Sequence, residues 1–211
     1  MKKITCLLPL VLLFFCTTQK SRTESKNSTI EFAFGNELTE NEREIINDFI
    51  DIELKKERYN NYRNFEIVII EEALKKMKPI SVYEFNLNHK ESWGKFIDNW
   101  ILDSLQVKQI KRELETEEIY HWKTTDFKNI KANLLKYDEL IKTIRTNEYR
   151  TNCIIIYLSR PLLIDKKNAL ISFEIGNGNF GFGGITHFTV LMRKINKKWK
   201  QSHHYEDGVY D

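Results

Sequence analysis

The chain has 211 residues, with 33 lysines and arginines against 30 acidic side chains and a formal charge of +3. Twelve per cent of its residues are aromatic and only three are proline, a globular rather than disordered composition, and the length fits one domain. No lysine/arginine block is interleaved with aromatics, so the electrostatic footprint of a nucleic-acid binder is missing and nucleic acid is set aside as a partner.

At the N-terminus Lys2 and Lys3 precede an apolar run, Ile4 to Phe15, after which Cys16 opens the polar stretch Thr17-Thr18-Gln19-Lys20. A membrane span needs about 20 apolar residues. This run is shorter, and its basic flank fits a secretory signal covering residues 1–15. Leu13-Phe14-Phe15-Cys16 resembles a lipobox, in which the cysteine becomes the acylated first residue, although Phe15 stands where such boxes carry a small residue. The competing reading is cleavage after Thr18, with Cys16 and Thr18 as the small residues, which would leave a soluble secreted or periplasmic protein. The favoured reading attaches a lipid at Cys16, makes residues 16–29 a flexible tether, and leaves 30–211 as a single domain. That places the protein in the cell envelope, anchored at the outer membrane and facing the periplasm. Losing Lys2 and Lys3 with the signal leaves 31 basic against 30 acidic side chains, so part of the apparent basicity belongs to the leader.

Ile30 to Phe34 alternates and predicts a short strand or a staple onto the core. Thr39-Glu40-Asn41-Glu42 is a capping-box sequence, and Ile45, Ile46, Phe49 and Ile52, with Ile50 beside them, then share the broad face of a helix running to about Tyr59. Residues 65–77 are read as mostly helical on the strength of Glu71-Glu72-Ala73-Leu74-Lys75-Lys76-Met77, with Pro79 ending the helix. Ile80 to Leu87 alternates and predicts a strand. Trp93, Phe96, Ile97, Trp100 and Ile101 recur at three and four, predicting a short aromatic-faced helix. A second helix is expected from Asp103 to about Glu118, a short strand from Lys128 to Leu135, and a helix from Tyr137 to Arg145.

Three apolar runs close the chain: Cys153–Leu158, Ala169–Ile175 and Ile185–Ile195, with Trp199-Lys200-Gln201 after a turn at Asn196-Lys197-Lys198. They predict an antiparallel meander of three to four strands. The fold class expected is α+β, with N-terminal and central helices packed on one face of a C-terminal antiparallel sheet. Cys153 lies inside the first run and reads as a buried strand cysteine, with no disulfide framework.

Gly176-Asn177-Gly178-Asn179-Phe180-Gly181 matches G-x-G-x-x-G, but a strand pattern follows where a dinucleotide fingerprint needs a helix. A kinase-type glycine loop fails as well, because only 30 residues remain for the rest of that machinery. The glycines read as a long hairpin connection, and no cofactor is indicated. His203-His204-Tyr205-Glu206-Asp207 is the densest cluster of ligand-type side chains. It reads as a solvated polar tail. The sharper alternative joins His187 to His203 or His204 and to Glu206 or Asp207 in a hydrolytic or metal site, with His187, His204 and Glu206 as the catalytic candidates. Trp122 reads as a core plug with His121 near the surface, where Glu117 or Glu118 is the carboxylate within reach as a partner.

Tyr120-His121-Trp122, Tyr157-Leu158-Ser159-Arg160-Pro161-Leu162-Leu163-Ile164-Asp165, Asn168-Ala169-Leu170-Ile171, the glycine-rich hairpin and Lys194-Ile195-Asn196-Lys197-Lys198-Trp199 together resemble a group of uncharacterised lipoproteins of Gram-negative bacteria. The likeness covers roughly residues 100–200 and rests on a Ser-x-Pro strand, a Gly-rich turn and a strand closing on Lys-Trp. The resemblance implies an envelope location and a non-enzymatic domain, and brings no catalytic residues. The function expected is therefore a lipoprotein binding or interaction domain, its partner an envelope protein or a small ligand. A hydrolase or metal-binding protein using the C-terminal His/carboxylate cluster is the alternative.

Overall fold

A computed structural model describes residues 37–89, 100–148, 151–179 and 181–208. The signal, Cys16, the tether, Ile30–Phe34 and the helix expected around Trp93, Phe96 and Ile97 lie outside the described residues.

The first helix, α1 (Glu40–Glu53), starts where the capping box places it. The Thr39 hydroxyl accepts from the Glu42 amide at 3.2 Å, and Glu42 Oε2 accepts from the Thr39 amide at 2.9 Å. Its buried face is Ile45, Ile46, Phe49 and Ile50. The helix stops at Glu53 rather than near Tyr59; Tyr59 sits buried in a 3₁₀ turn, Glu57–Tyr62, and donates to Glu53 Oε1 at 3.1 Å.

The next two elements exchange the roles expected of them. Residues 66–70 form strand β1 (Glu66–Ile70), not a helix. Ile67-Val68-Ile69-Ile70 pairs in parallel with a strand on either side, a position that rewards β-branched side chains on both faces. Beyond it, the first part of the helix-favouring run, 72–74, is held by single bridges, Glu72 to His121 and Leu74 to Ser159, so tertiary pairing overrides propensity there. Residues 77–88 form helix α2 (Met77–Asn88), not a strand. The alternation at 80–87 is overruled because Ile80, Val82, Tyr83 and Asn86 also share one helical face, and that face is buried. Pro79 stands in the first turn, where its missing N–H costs nothing. The Glu117 carboxylate takes the N-capping role, accepting from the Lys76 amide at 2.9 Å and the Met77 amide at 3.3 Å.

Helix α3 (Ser104–Glu113) is shorter than expected. Its N-cap Asp103 accepts from the Leu105 and Gln106 amides, both at 2.8 Å. Strand β2 (Ala132–Leu135), helix α4 (Tyr137–Thr146), and strands β3 (Cys153–Leu158), β4 (Leu162–Leu163), β5 (Asn168–Asn177), β6 (Gly183–Ile195) and β7 (Lys198–Tyr205) follow among the described residues. They form a seven-stranded sheet in the order β2-β1-β3-β5-β6-β7, with β4 paired to β5. The C-terminal meander is antiparallel, β1 joins it in parallel through β3, and the architecture is α+β.

Both faces of the sheet are covered, whereas one covered face was expected. Period-two alternation sends Ile171, Phe173, Ile175, Ile154 and Ile156 toward α1. Leu170 and Leu191 face α2 and α3, with Ile80, Tyr83, Val107 and Ile110. On that same second face Val68, Ile70, Cys153 and Ile155 pack beneath Leu140 of α4. A β-bulge settles the end of β7. Met192 pairs with Gln201 and Leu191 with His203, so Ser202 is the extra residue. Its presence lets Trp199 join the α1 core and Tyr205 the α2 core, although both numbers are odd.

Candidate functional site

The C-terminal cluster is structured. The expected polar tail is a strand through Tyr205, because Tyr205 buries its ring against Tyr83 and Trp100 at centroid distances of 5.2 and 6.0 Å. Of the candidate residues, the structure joins His187 to Asp207, Nδ1 to Oδ2 at 3.0 Å. It does not join the others to them. His203 pairs with Leu191, four residues along β6 from His187 and so about 13 Å away. His204 takes the opposite face, its Nε2 3.2 Å from Lys56 Nζ. Burial first, then the charges of Lys56 and Arg58, hold the His204 imidazole below its usual pKa. Glu206 is exposed, and its carbonyl accepts from Asn86 at 2.7 Å. Among the described residues no group of three or more His, Cys, Asp or Glu side chains is arranged to hold a metal ion.

His187 belongs instead to a row of polar side chains. Register aligns Tyr157 on β3 with Glu174 on β5, and Glu174 with His187 on β6. Asp207 extends the row past the end of β7. Lys78, in the first turn of α2, lies 3.7 Å from Glu174 Oε1 and 3.6 Å from Asp207 Oδ2. At the other end Tyr137, in the first turn of α4, stacks on Tyr157 with centroids 5.7 Å apart. Glu72 accepts from the Tyr137 amide at 2.8 Å. Burial, reinforced by Tyr137 and by the Glu174 and Glu72 charges, pushes the Tyr157 hydroxyl up, so it stays a neutral donor.

The row runs along the seam where the α2/α3 covering of the sheet gives way to that of α4. Lys78 is 38% exposed at its side chain and Glu174 32%, enough for a solute to touch them. Sequence reasoning found His187 and Asp207 but missed Lys78, Tyr137, Tyr157 and Glu174. The one available signal was Glu174 itself, a carboxylate inside the apolar run Leu170-Ile171-Ser172-Phe173-Glu174-Ile175.

A second charged cluster is fully internal. Arg160 donates from Nε to Glu42 Oε1 at 2.7 Å and from Nη2 to Glu42 Oε2 at 3.0 Å, and Lys76 Nζ lies 3.2 Å from the same carboxylate. The Arg160 guanidinium also covers the Tyr120 ring at 5.2 Å. Burial pushes the Glu42 carboxyl up, but the Arg160 hydrogen bonds and the Lys76 and Arg160 charges outweigh it and hold it below the usual value. Glu42 is 0% exposed, so this cluster ties α1 to the β3–β4 and β1–α2 connections rather than meeting a solute. His121 is exposed and faces Glu71 at 3.3 Å rather than Glu117 or Glu118, while Trp122 is buried beside it.

Fold and seam together define an α+β domain with a mixed seven-stranded sheet. No helix among the described residues is long and apolar enough to cross a membrane. Comparisons with protein-family models, with curated proteins and with solved structures find no match.

Proposed function

We propose that the chain is an exported, lipid-tethered binding domain that engages a polar ligand, or a polar segment of an envelope protein, across the seam between α2 and α4. The observation that carries the reading is the aligned row Tyr157–Glu174–His187–Asp207, part-exposed on a sheet whose remaining positions are mostly apolar. A stacked tyrosine pair gives such a seam a flat surface, and two carboxylates beside one lysine, with Glu72 at the tyrosine end, favour a ligand with hydrogen-bond donors or positive charge. The leader sequence and the resemblance to Gram-negative lipoproteins support an envelope setting. Crosslinking in intact envelopes and native mass spectrometry of the purified chain test it. The wild type should carry a partner or ligand that Tyr137→Ala and Glu174→Gln reduce at least ten-fold. Association that both variants retain in full, or none at all, overturns the proposal.

The His187–Asp207 contact favours a second reading, in which the carboxylate orients the imidazole for proton transfer to a hydrolysable substrate. Turnover of ester or peptide substrates that His187→Gln abolishes would establish it, and absence of turnover would end it.

A further inference from the structure

Two turns at one end of the sheet bring together lysines that lie far apart in sequence. The turn before β5 carries Lys166 and Lys167, and the β6–β7 hairpin carries Ile195, Lys197 and Lys198. The turns touch, since the Lys194 amide donates to the Lys167 carbonyl at 2.8 Å. All five side chains are exposed, and Ile195 is 46% so, an apolar residue set among cations. Apart from the exposed Glu37, the nearby carboxylates are hydrogen-bonded or ion-paired. Asp165 accepts from the Lys167 and Asn168 amides, Glu44 pairs with Lys194 at 2.7 Å, and Asp48 accepts from the Trp199 amide at 2.9 Å. Glu40, at the start of α1, lies 3.7 Å from Lys128 and 3.9 Å from Arg43.

The hairpin is built at a local cost. Asn196 and Lys197 have φ of 51° and 66°, the two-residue turn in which glycine is the usual second residue. A lysine occupies that position here.

The same end receives the chain from its leader. The Glu37 carbonyl accepts from Arg160 Nη2 at 2.9 Å, just before β4, and Asn41 accepts from Lys194 at 3.2 Å. Twenty residues separate Cys16 from Glu37, at most about 70 Å when fully extended.

We propose that this end of the sheet, with Lys166, Lys167, Lys197, Lys198 and Ile195, docks the domain on an anionic lipid surface. The orientation puts the lysines toward the membrane from which the chain arrives, with Ile195 entering the interfacial layer. The membrane setting rests on the tethered-domain reading; the lysine–headgroup attraction does not depend on acylation.

The test is co-sedimentation of the full chain, and of its Cys16→Ser variant, with phosphatidylcholine vesicles made with or without phosphatidylglycerol. In both backgrounds phosphatidylglycerol should strengthen binding. Replacing the four lysines by glutamine should cancel most of that gain, at about five-fold per lysine in low salt. The gap should close in about 1 M salt, where the screening length falls to about 3 Å. On vesicles, hydrogen exchange should slow at 165–168 and 195–198, a readout that needs no variant. Equal binding to both vesicle types, an unaltered quadruple variant, protection elsewhere only, or binding to a DNA duplex without vesicle binding would each overturn the proposal. Failure of lipid attachment is seen separately, as identical binding of the wild type and Cys16→Ser to neutral vesicles.

Discussion

Glu42→Gln isolates one charge in the interior. Glutamine at the third position of a capping box still reaches back to the N-cap amide, so the start of α1 is kept. What disappears is the negative charge shared by Arg160 and Lys76, which are 6% and 5% exposed. Two buried cations then face each other with their common carboxylate gone, and removing one partner of such a group costs about 3–5 kcal/mol. For a domain of this size that is a fall in Tm of about 6–20 °C. The effect has a pH signature. Because the folded carboxyl titrates below its usual 4.5, its contribution is complete above that value and is lost as the pH falls through the lower folded value. Wild type and variant should therefore differ most near neutrality and converge in acid. Urea titrations at several pH values measure both quantities. A difference under about 1 kcal/mol at pH 7, or one that is constant with pH, would refute the assignment of a charged Glu42 holding two cations.

Three other outcomes follow from specific contacts. Glu117→Ala should cost about 1–2 kcal/mol by removing the carboxylate that caps α2 from outside the helix, read by denaturant midpoint. Tyr205→Phe removes a buried hydroxyl that has no hydrogen-bond partner among the described residues, so stability should stay within about 0.5 kcal/mol or rise; a clear loss would mean the hydroxyl is bonded. Deleting Ser202 should be tolerated at under about 2 kcal/mol, because it removes the bulge yet leaves Gln201 and His204 on one face and His203 and Tyr205 on the other. Unfolding of that deletion would show that the bulge itself is required.

Short-range chemistry was legible where it was self-contained. The Thr39-x-x-Glu42 box starts a helix because both partners lie within one turn. The C-terminal runs are strands because turn residues punctuate them and their apolar stretches have strand length. Residues 66–88 were misread because two periodicities fit them, and the choice belongs to their neighbours. Ile67–Ile70 is a strand because β2 and β3 flank it, and the first part of the Glu-Glu-Ala-Leu-Lys-Lys run beyond it is held by His121 and Ser159. Helix α2 forms over an alternating sequence because the sheet offers a face for Ile80 and Tyr83 and Glu117 supplies its cap from 40 residues away.

The same division holds for the sites. Sequence alone carried the expectation of an export-type leader, and it set Cys153 in a strand and the glycine motif at a turn between strands, each a matter of composition or adjacency. It could nominate His187 and Asp207, but strand register alone set Glu174 and Tyr157 in line with His187, and the placement of two helix starts added Lys78 and Tyr137. The basic end likewise exists only after folding, because Lys166–Lys167 and Lys197–Lys198 meet through a pairing that closes 26 residues of chain between Lys167 and Lys194. Local patterns fix local backbone; what faces what across a sheet depends on register and bulges, which are settled by packing the whole core at once.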